Sequence, residues 1–131
     1  MKLTKDDHLK QAEHNEKLAN SLSQGPYLDW AVTVYFYAAL HYMTAILTIH
    51  VPAEILRSHD KRDSYIRSNR ELGGIFVPYK FLDTARRNAQ YYCTPVTPSD
   101  LKTVQGKYQV VKGHIIHNIL GLPKTKSSTQ V

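Results

Sequence analysis

The sequence predicts an all-α fold, an antiparallel four-helix bundle with one additional short helix. Apolar residues recur at spacings of three and four in several segments, and no segment alternates as a half-buried strand would. Gly and Pro pairs separate these segments. A chain of 131 residues is the usual size of one domain with its own core. We therefore predict one domain at 1–122, followed by a disordered polar tail at 123–131.

The first helix is predicted from Thr4 to about Ser23. Thr4 followed by Asp7 resembles a capping box, in which each side chain bonds the other residue's main chain. The apolar stripe of this helix is thin, which indicates a surface helix lying against the edge of the bundle. Gly25-Pro26 ends it, because proline cannot continue a helical ladder.

The second helix carries the longest apolar stretch, from Trp30 to Ile49, with no Asp, Glu, Lys or Arg. Asp29 is its predicted N-cap. Its length is enough to cross a bilayer. Polar-tipped side chains such as Tyr37 and His41 lie in its middle, however, where a membrane helix would carry Leu or Val. We therefore predict the buried central helix of a soluble bundle and no membrane span.

Two helices follow. Ser58 is predicted to cap a short polar helix that reaches about Leu72 and stops at Gly73-Gly74. The next helix is predicted from about Val77 to Tyr92. Its expected core stripe consists of Phe81, Leu82, Ala85, Ala89 and Tyr92.

The last helix has the clearest start signal, Thr97-Pro98-Ser99-Asp100, with a Thr cap, Pro at the first helical position and a carboxylate at the third. Apolar residues then repeat at steps of three and four until the helix ends before Gly121.

Charge is distributed unevenly along the chain. Residues 1–56 contain four Lys/Arg and six Asp/Glu, a net −2, whereas residues 57–131 contain thirteen and five, a net +8. Clustered cations favour a polyanionic partner, although a charged face kept solvated for solubility is the alternative. The single Cys93 cannot form an internal disulfide and no secretory leader opens the chain, so we expect a cytoplasmic protein.

Several kinds of catalytic site lack their motifs. The chain has no P-loop, no G-x-G-x-x-G and no H-E-x-x-H. His114 and His117 lie three residues apart, as two zinc ligands would, but no carboxylate lies within one turn of them. We therefore expect no metal and no cofactor.

One basic segment carries candidate chemistry. His59 and Arg62 share a helix face, and a histidine beside arginines is suited to metal-independent RNA cleavage. The imidazole takes a proton from the ribose 2′-hydroxyl while guanidinium groups stabilise charge on the phosphate. The same residues are equally suited to holding RNA. We assign His59 and Arg62 as catalytic candidates, and the substrate-binding candidates are Arg67, Arg86, Arg87 and Tyr91.

Four stretches of the sequence resemble the HEPN superfamily of small helical-bundle proteins. They are QAEHNEKLANSL, DWAVTVYFYAALHYMTAIL, SHDKRDSYIRSN and YKFLDTARRNAQYY, in this order over about residues 11–92. The resemblance implies a HEPN-like bundle that acts as a metal-independent ribonuclease of a toxin–antitoxin or defence system, or as an RNA- or nucleotide-binding module. It also implies a homodimer. The alternative is a non-catalytic interaction component, with a partner such as a nucleotidyltransferase antitoxin.

The chain departs from the catalytic motif of that superfamily, an Arg followed by His after four to six intervening residues. Only lysines occupy the corresponding positions before His114 and His117, and lysine lacks the bidentate fork of arginine. A ribonuclease of this type would therefore be degenerate. Tyr37 and His41 match the aromatic and histidine positions of the second stretch, and we expect them to support the His59/Arg62 site from below.

Overall fold

The computed structural model describes residues 2–52 and 56–122, and within these ranges all regular structure is helical. The five α-helices are α1 (Lys5–Leu22), α2 (Leu28–His50), α3 (His59–Ser68), α4 (Phe76–Tyr91) and α5 (Pro98–Gly113). A 3₁₀ turn at Gly73–Ile75 precedes α4, and a π-helical turn at His114–Ile119 extends α5. The all-α prediction is confirmed. The predicted tail at 123–131 lies outside the described residues.

Helix α2 is the centre of the bundle and packs against α1, α4 and α5. Its buried residues lie on most of its circumference, and Tyr35, Phe36, Tyr42 and Met43 are its largest fully buried side chains. It is long and apolar enough to span a bilayer, but 61% of its apolar window is buried within the protein. That burial is consistent with the predicted core helix of a soluble bundle.

One face of α2 is exposed, whereas the sequence predicts a central helix that is buried on all sides. Trp30 is 52% exposed and Tyr37 40% exposed, and the two residues lie two turns apart on the same face. The N-cap prediction is also wrong. Tyr27 occupies that position, and Asp29 lies in the first turn of the helix.

Both predicted capping boxes are present. In α1 the Thr4 hydroxyl accepts from the Asp7 main-chain N–H, and the Asp7 carboxylate accepts from the Thr4 N–H. Thr97 and Asp100 make the same reciprocal pair at the start of α5. These motifs form from residues three apart, which is why the sequence alone locates both helix starts.

Helix α3 is shorter than predicted and ends at Ser68 instead of Leu72. Asn69 takes an extended conformation, and its side-chain oxygen accepts from the main-chain N–H groups of Glu71 and Leu72. These bonds replace the next helical hydrogen bonds, so Asn69 and not Gly73-Gly74 stops the helix.

The core face of α4 is confirmed only in part, because Leu82 is buried and Ala85 packs against the core as predicted, but other predicted members are exposed. Its buried residues are Tyr79, Leu82, Asp83 and Arg86, whereas Phe81 is 40% exposed and Tyr92 is 72% exposed. The Tyr79 and Phe36 rings lie 5.9 Å apart, and the Arg86 guanidinium lies 4.6 Å from the centre of the Phe36 ring. A cation over an aromatic face is attracted by the ring quadrupole. This attraction allows Arg86 to occupy a core-facing position, where the sequence pattern predicts apolar residues.

A polar network links α1, α2 and α5 inside the bundle. The Tyr108 hydroxyl donates to Glu16 Oε1 at 2.5 Å, and Lys112 Nζ donates to the same oxygen at 2.8 Å. Gln105 donates to the Tyr35 hydroxyl, which donates in turn to Asn20. Burial together with the Glu16 charge raises the pKa of Tyr108, so the phenol stays protonated and remains a donor.

We expect Tyr108→Phe to lower the free energy of unfolding by about 1.5–3 kcal/mol, because it removes a buried hydrogen bond to a charged acceptor. Urea unfolding followed by circular dichroism measures the change. Tyr27→Phe is the matched control, since Tyr27 is 61% exposed. Equal stability of the two variants would contradict a stabilising role for the Tyr108–Glu16 bond.

Candidate functional site

The first turns of α3 and the middle of α4 bring together a cluster of charged side chains, here called the α3–α4 cluster. Its members are His59, Arg62, Asp63, Lys80, Asp83, Arg86 and Arg87. Four of these residues are cationic and two are carboxylates, which leaves a net charge of +2 with His59 neutral. Four of the predicted site residues therefore meet, namely His59, Arg62, Arg86 and Arg87.

Asp83 is the centre of the cluster. Its carboxylate is 3% exposed and contacts Lys80 at 3.1 Å, Arg86 at 2.5 Å and Arg87 at 3.2 Å. Burial raises the pKa of Asp83, but hydrogen bonds from Arg86 and Lys80 and their charges outweigh burial, so the net pKa lies below its usual value. Lys80 also contacts Asp63 at 2.9 Å, which ties α4 to α3.

Arg62 holds His59 in one tautomer. Arg62 Nη2 donates to His59 Nδ1 at 2.5 Å, and Arg62 Nη1 donates to the main-chain oxygen of Leu56 at 3.2 Å. An arginine has no acceptor, so Nδ1 of His59 accepts and the neutral ring carries its proton on Nε2. Partial burial and the charge of Arg62, with those of Arg86 and Arg87, lower the pKa of His59 despite the opposing charge of Asp83. The exposed imidazole is therefore neutral at pH 7 and offers an Nε2–H donor.

The cations of the cluster differ in access to solvent. Arg62 is 7% exposed and Arg86 is 5% exposed, whereas the Arg87 side chain is 46% exposed. Arg62 Nε, Arg86 Nε and the Tyr79 hydroxyl are buried and have no hydrogen-bond partner within the described ranges. Buried charges with incomplete hydrogen bonding stabilise a fold weakly, and such departures from full pairing are found at functional or strained sites. A ligand would meet His59 and Arg87, while Arg62 and Arg86 position them.

Three predicted site residues lie elsewhere or at the margin. The Arg67 guanidinium lies 5.4 Å from the centre of the Phe76 ring, outside the cluster. Tyr91 ends α4, one turn after Arg87, and is 68% exposed. Tyr37 does reach the cluster, because its ring centre lies 5.8 Å from the Arg86 guanidinium.

His41 does not support the cluster, and that expectation is wrong. Its ring stacks on His8 of α1, with the two Nδ1 atoms 3.1 Å apart. Burial lowers the pKa of both imidazoles, so one neutral ring donates to the other. His41 thus belongs to the α1–α2 contact.

Asp63 and Asp83 are cluster members that the sequence motifs did not identify. A signal was present for Asp83, because Lys80, Arg86 and Arg87 are spaced three, three and four residues from it on one helix. Asp63 carried no such signal. Its partner, Lys80, is seventeen residues away in sequence, and only the packing of α3 on α4 brings the two side chains together.

The described residues contain no group of three or more His, Cys, Asp or Glu side chains that could hold a metal ion. His114 and His117 each contact a main-chain oxygen, that of Glu71 at 2.6 Å and that of Leu122 at 2.8 Å. These contacts occupy one nitrogen of each ring.

A separate, mostly apolar pocket of about 260 Å³ lies between α4 and α5, and Val32, Phe81, Ala85 and Val104 are among its walls. Its one carboxylate, Asp100, already accepts from the Thr97 main chain. None of the predicted site residues lines this pocket, and none of its lining side chains is cationic. The α3–α4 cluster is the better candidate because it combines buried charge, an oriented imidazole and exposed donors.

The fold and the cluster define an all-α helical bundle with a cationic surface site. Comparisons of the chain with protein-family models, curated proteins and solved structures return no match. Membership of the HEPN superfamily therefore stays a prediction.

We expect Asp83→Asn to lower the free energy of unfolding at pH 7 by about 3 kcal/mol, because Arg86 loses its buried charge partner. The pKa of Asp83 is lowered in the folded state, so its stabilisation is present above about pH 3.8 and is lost as the pH falls through the folded value. The difference between wild type and Asp83→Asn should accordingly shrink below pH 4.

Urea unfolding between pH 3 and 7 measures this dependence. Asp60→Asn removes an exposed carboxylate of α3 and should stay within about 0.5 kcal/mol of wild type. A constant Asp83→Asn difference over the whole pH range would show that the carboxylate charge is not what stabilises the cluster.

Proposed function

We propose that this protein is a HEPN-like RNA- or nucleotide-binding domain whose phosphate site is the α3–α4 cluster. The observation that carries the proposal is the Arg62–His59 contact, which directs an Nε2–H donor outward in the same cluster as Arg87. Neutral donors and guanidinium groups together are suited to phosphate oxygens. The net +8 of residues 57–131 adds long-range attraction for a polyanion.

The same contact favours binding over cleavage. A general base for the 2′-hydroxyl needs a free nitrogen lone pair, and Nδ1 of His59 is already bonded to Arg62. The chain also lacks the Arg-x4-6-His motif. The proposed protein is therefore a binding module with a degenerate ribonuclease site, acting in the cytoplasm.

Fluorescence anisotropy with a labelled single-stranded RNA tests binding. We expect Arg87→Ala to weaken affinity about tenfold and to reduce the slope of log affinity against log salt by about 1, because one phosphate contact is lost. His59→Ala should weaken affinity less, since a neutral donor is removed. Arg70→Ala is the matched control, because it also removes one positive charge. Arg70 lies beyond the last residue of α3, whereas His59 is the first residue of that helix. Equal loss in Arg87→Ala and Arg70→Ala would contradict a localised site.

Cleavage is tested separately by incubating the protein with mixed RNA and a metal chelator. We expect no 2′,3′-cyclic phosphate ends, because the His59 lone pair is engaged. Such ends in wild type, absent in His59→Ala, would show an active ribonuclease instead of a binding module.

A non-catalytic interaction component of a nucleotidyltransferase or defence complex is the second candidate. It is favoured by exposed apolar side chains on α4 and α5, of which Val77 is 75% exposed and Val110 is 53% exposed. Exposed apolar side chains of this size are available for contact with another protein. This candidate predicts no RNA affinity at physiological salt and a stable complex on co-purification with such a partner.

A further inference from the structure

Two exposed aromatic side chains lie at the end of the bundle where α2 begins and α4 ends. Trp30 is 52% exposed and Tyr91 is 68% exposed, and both line one surface pocket of about 330 Å³. Neither ring is in any of the aromatic pairs found in the described part of the chain. Each therefore has a ring face available for a planar ligand.

The same pocket contains an uncommitted carboxylate. Asp29 is exposed, is not the N-cap of α2, and its side chain makes no hydrogen bond or ion pair within residues 2–52 and 56–122. The Thr33 hydroxyl donates to the main-chain oxygen of Asp29 and leaves the carboxylate unoccupied. Gln90 adds an amide to the lining. The pocket thus offers two rings, an acceptor-only group and an amide.

This pocket adjoins the α3–α4 cluster. Tyr91 follows Arg87 by one helical turn, about 6 Å along the axis of α4. Tyr37, on the same face of α2 as Trp30, lies 5.8 Å from the Arg86 guanidinium. A phosphate at Arg87 and a base between the rings would be neighbours, and the negative Asp29 would keep the phosphate on the arginine side.

We propose that this pocket is a nucleobase subsite that binds a guanine of single-stranded RNA, with the base stacked on Trp30 and Tyr91. The inference rests on the proposed function, because it adds base recognition to the same phosphate site. Asp29 accepts from guanine N1–H and N2–H, the only adjacent pair of donors that a Watson–Crick edge of the four RNA bases presents. On that edge adenine and cytosine place a ring acceptor beside the amino group, and uracil flanks its N–H with two oxygens, so each would turn a lone pair toward the carboxylate.

The chain carries its own reporter, because Trp30 is its single tryptophan. Stacking of guanine on this ring should quench its fluorescence. We expect titration with GMP to quench Trp30 and AMP to need about tenfold higher concentration, the ratio expected from about 1.4 kcal/mol of base discrimination. Asp29→Asn should remove the preference for GMP while leaving the quenching itself, since both rings remain.

RNA binding gives a second readout. A nine-residue uridine oligonucleotide with one central guanine should bind about tenfold tighter than the same oligonucleotide with adenine. Trp30→Ala should weaken both by about tenfold through lost stacking. Tyr92→Ala is the matched aromatic control, because Tyr92 is 72% exposed and does not line the pocket.

The outcomes separate this inference from the proposed function. Equal affinity for the two oligonucleotides, with a loss in Arg87→Ala, overturns the guanine subsite and leaves the phosphate site standing. A guanine preference that survives in Asp29→Asn also overturns the subsite. A third outcome supports the subsite: GMP quenches Trp30 more strongly than AMP does, and Asp29→Asn removes this difference. If long RNA nevertheless fails to bind, only the assignment of RNA as the ligand is overturned.

Discussion

The structure depends on covering α2, a helix of 23 residues whose side chains are mostly apolar or aromatic. Exposing such a helix to water costs about 25 cal/mol for every Å² of apolar surface, so the chain places α1, α4 and α5 around it. Three helices leave one face of α2 open. That open face carries Trp30 and Tyr37, and it borders the side of α4 that carries the cations.

The second constraint is that the buried charge of Arg86 must be balanced inside a small bundle. Arg86 lies over the Phe36 ring and contacts Asp83, so its charge is balanced by a quadrupole and a carboxylate. Asp83 in turn contacts Arg87, which reaches solvent. The buried part of the cluster therefore orients the exposed part, and a ligand at Arg87 would meet a side chain whose position is already restricted.

Position along the chain explains which site residues the sequence located. His59, Arg62, Arg86 and Arg87 lie within two short, strongly basic segments, and composition alone draws attention to them. Their roles differ by burial, which composition does not report. Arg62 and Arg86 are enclosed by neighbouring helices, and the tautomer of His59 follows from the Arg62 contact. His41 lies one turn after Tyr37 but faces α1 and pairs with His8. Four residues rotate a side chain by about 40° beyond a full turn, which is enough to move it from the α4 side of α2 to the α1 side.

The sequence by itself determined the helical class, the central helix and both capping boxes, because each depends on periodicity or on residues three apart. It did not determine the end of α3, where the Asn69 side chain bonds the following main chain. Nor did it determine the whole buried face of α4, of which it located Leu82 and Ala85 but not Tyr79 or Arg86. That face follows from the fit of Tyr79 and Arg86 against Phe36, a contact between residues more than forty positions apart. Tertiary packing decides such contacts, since rotation of a helix about its axis depends on the surface it meets.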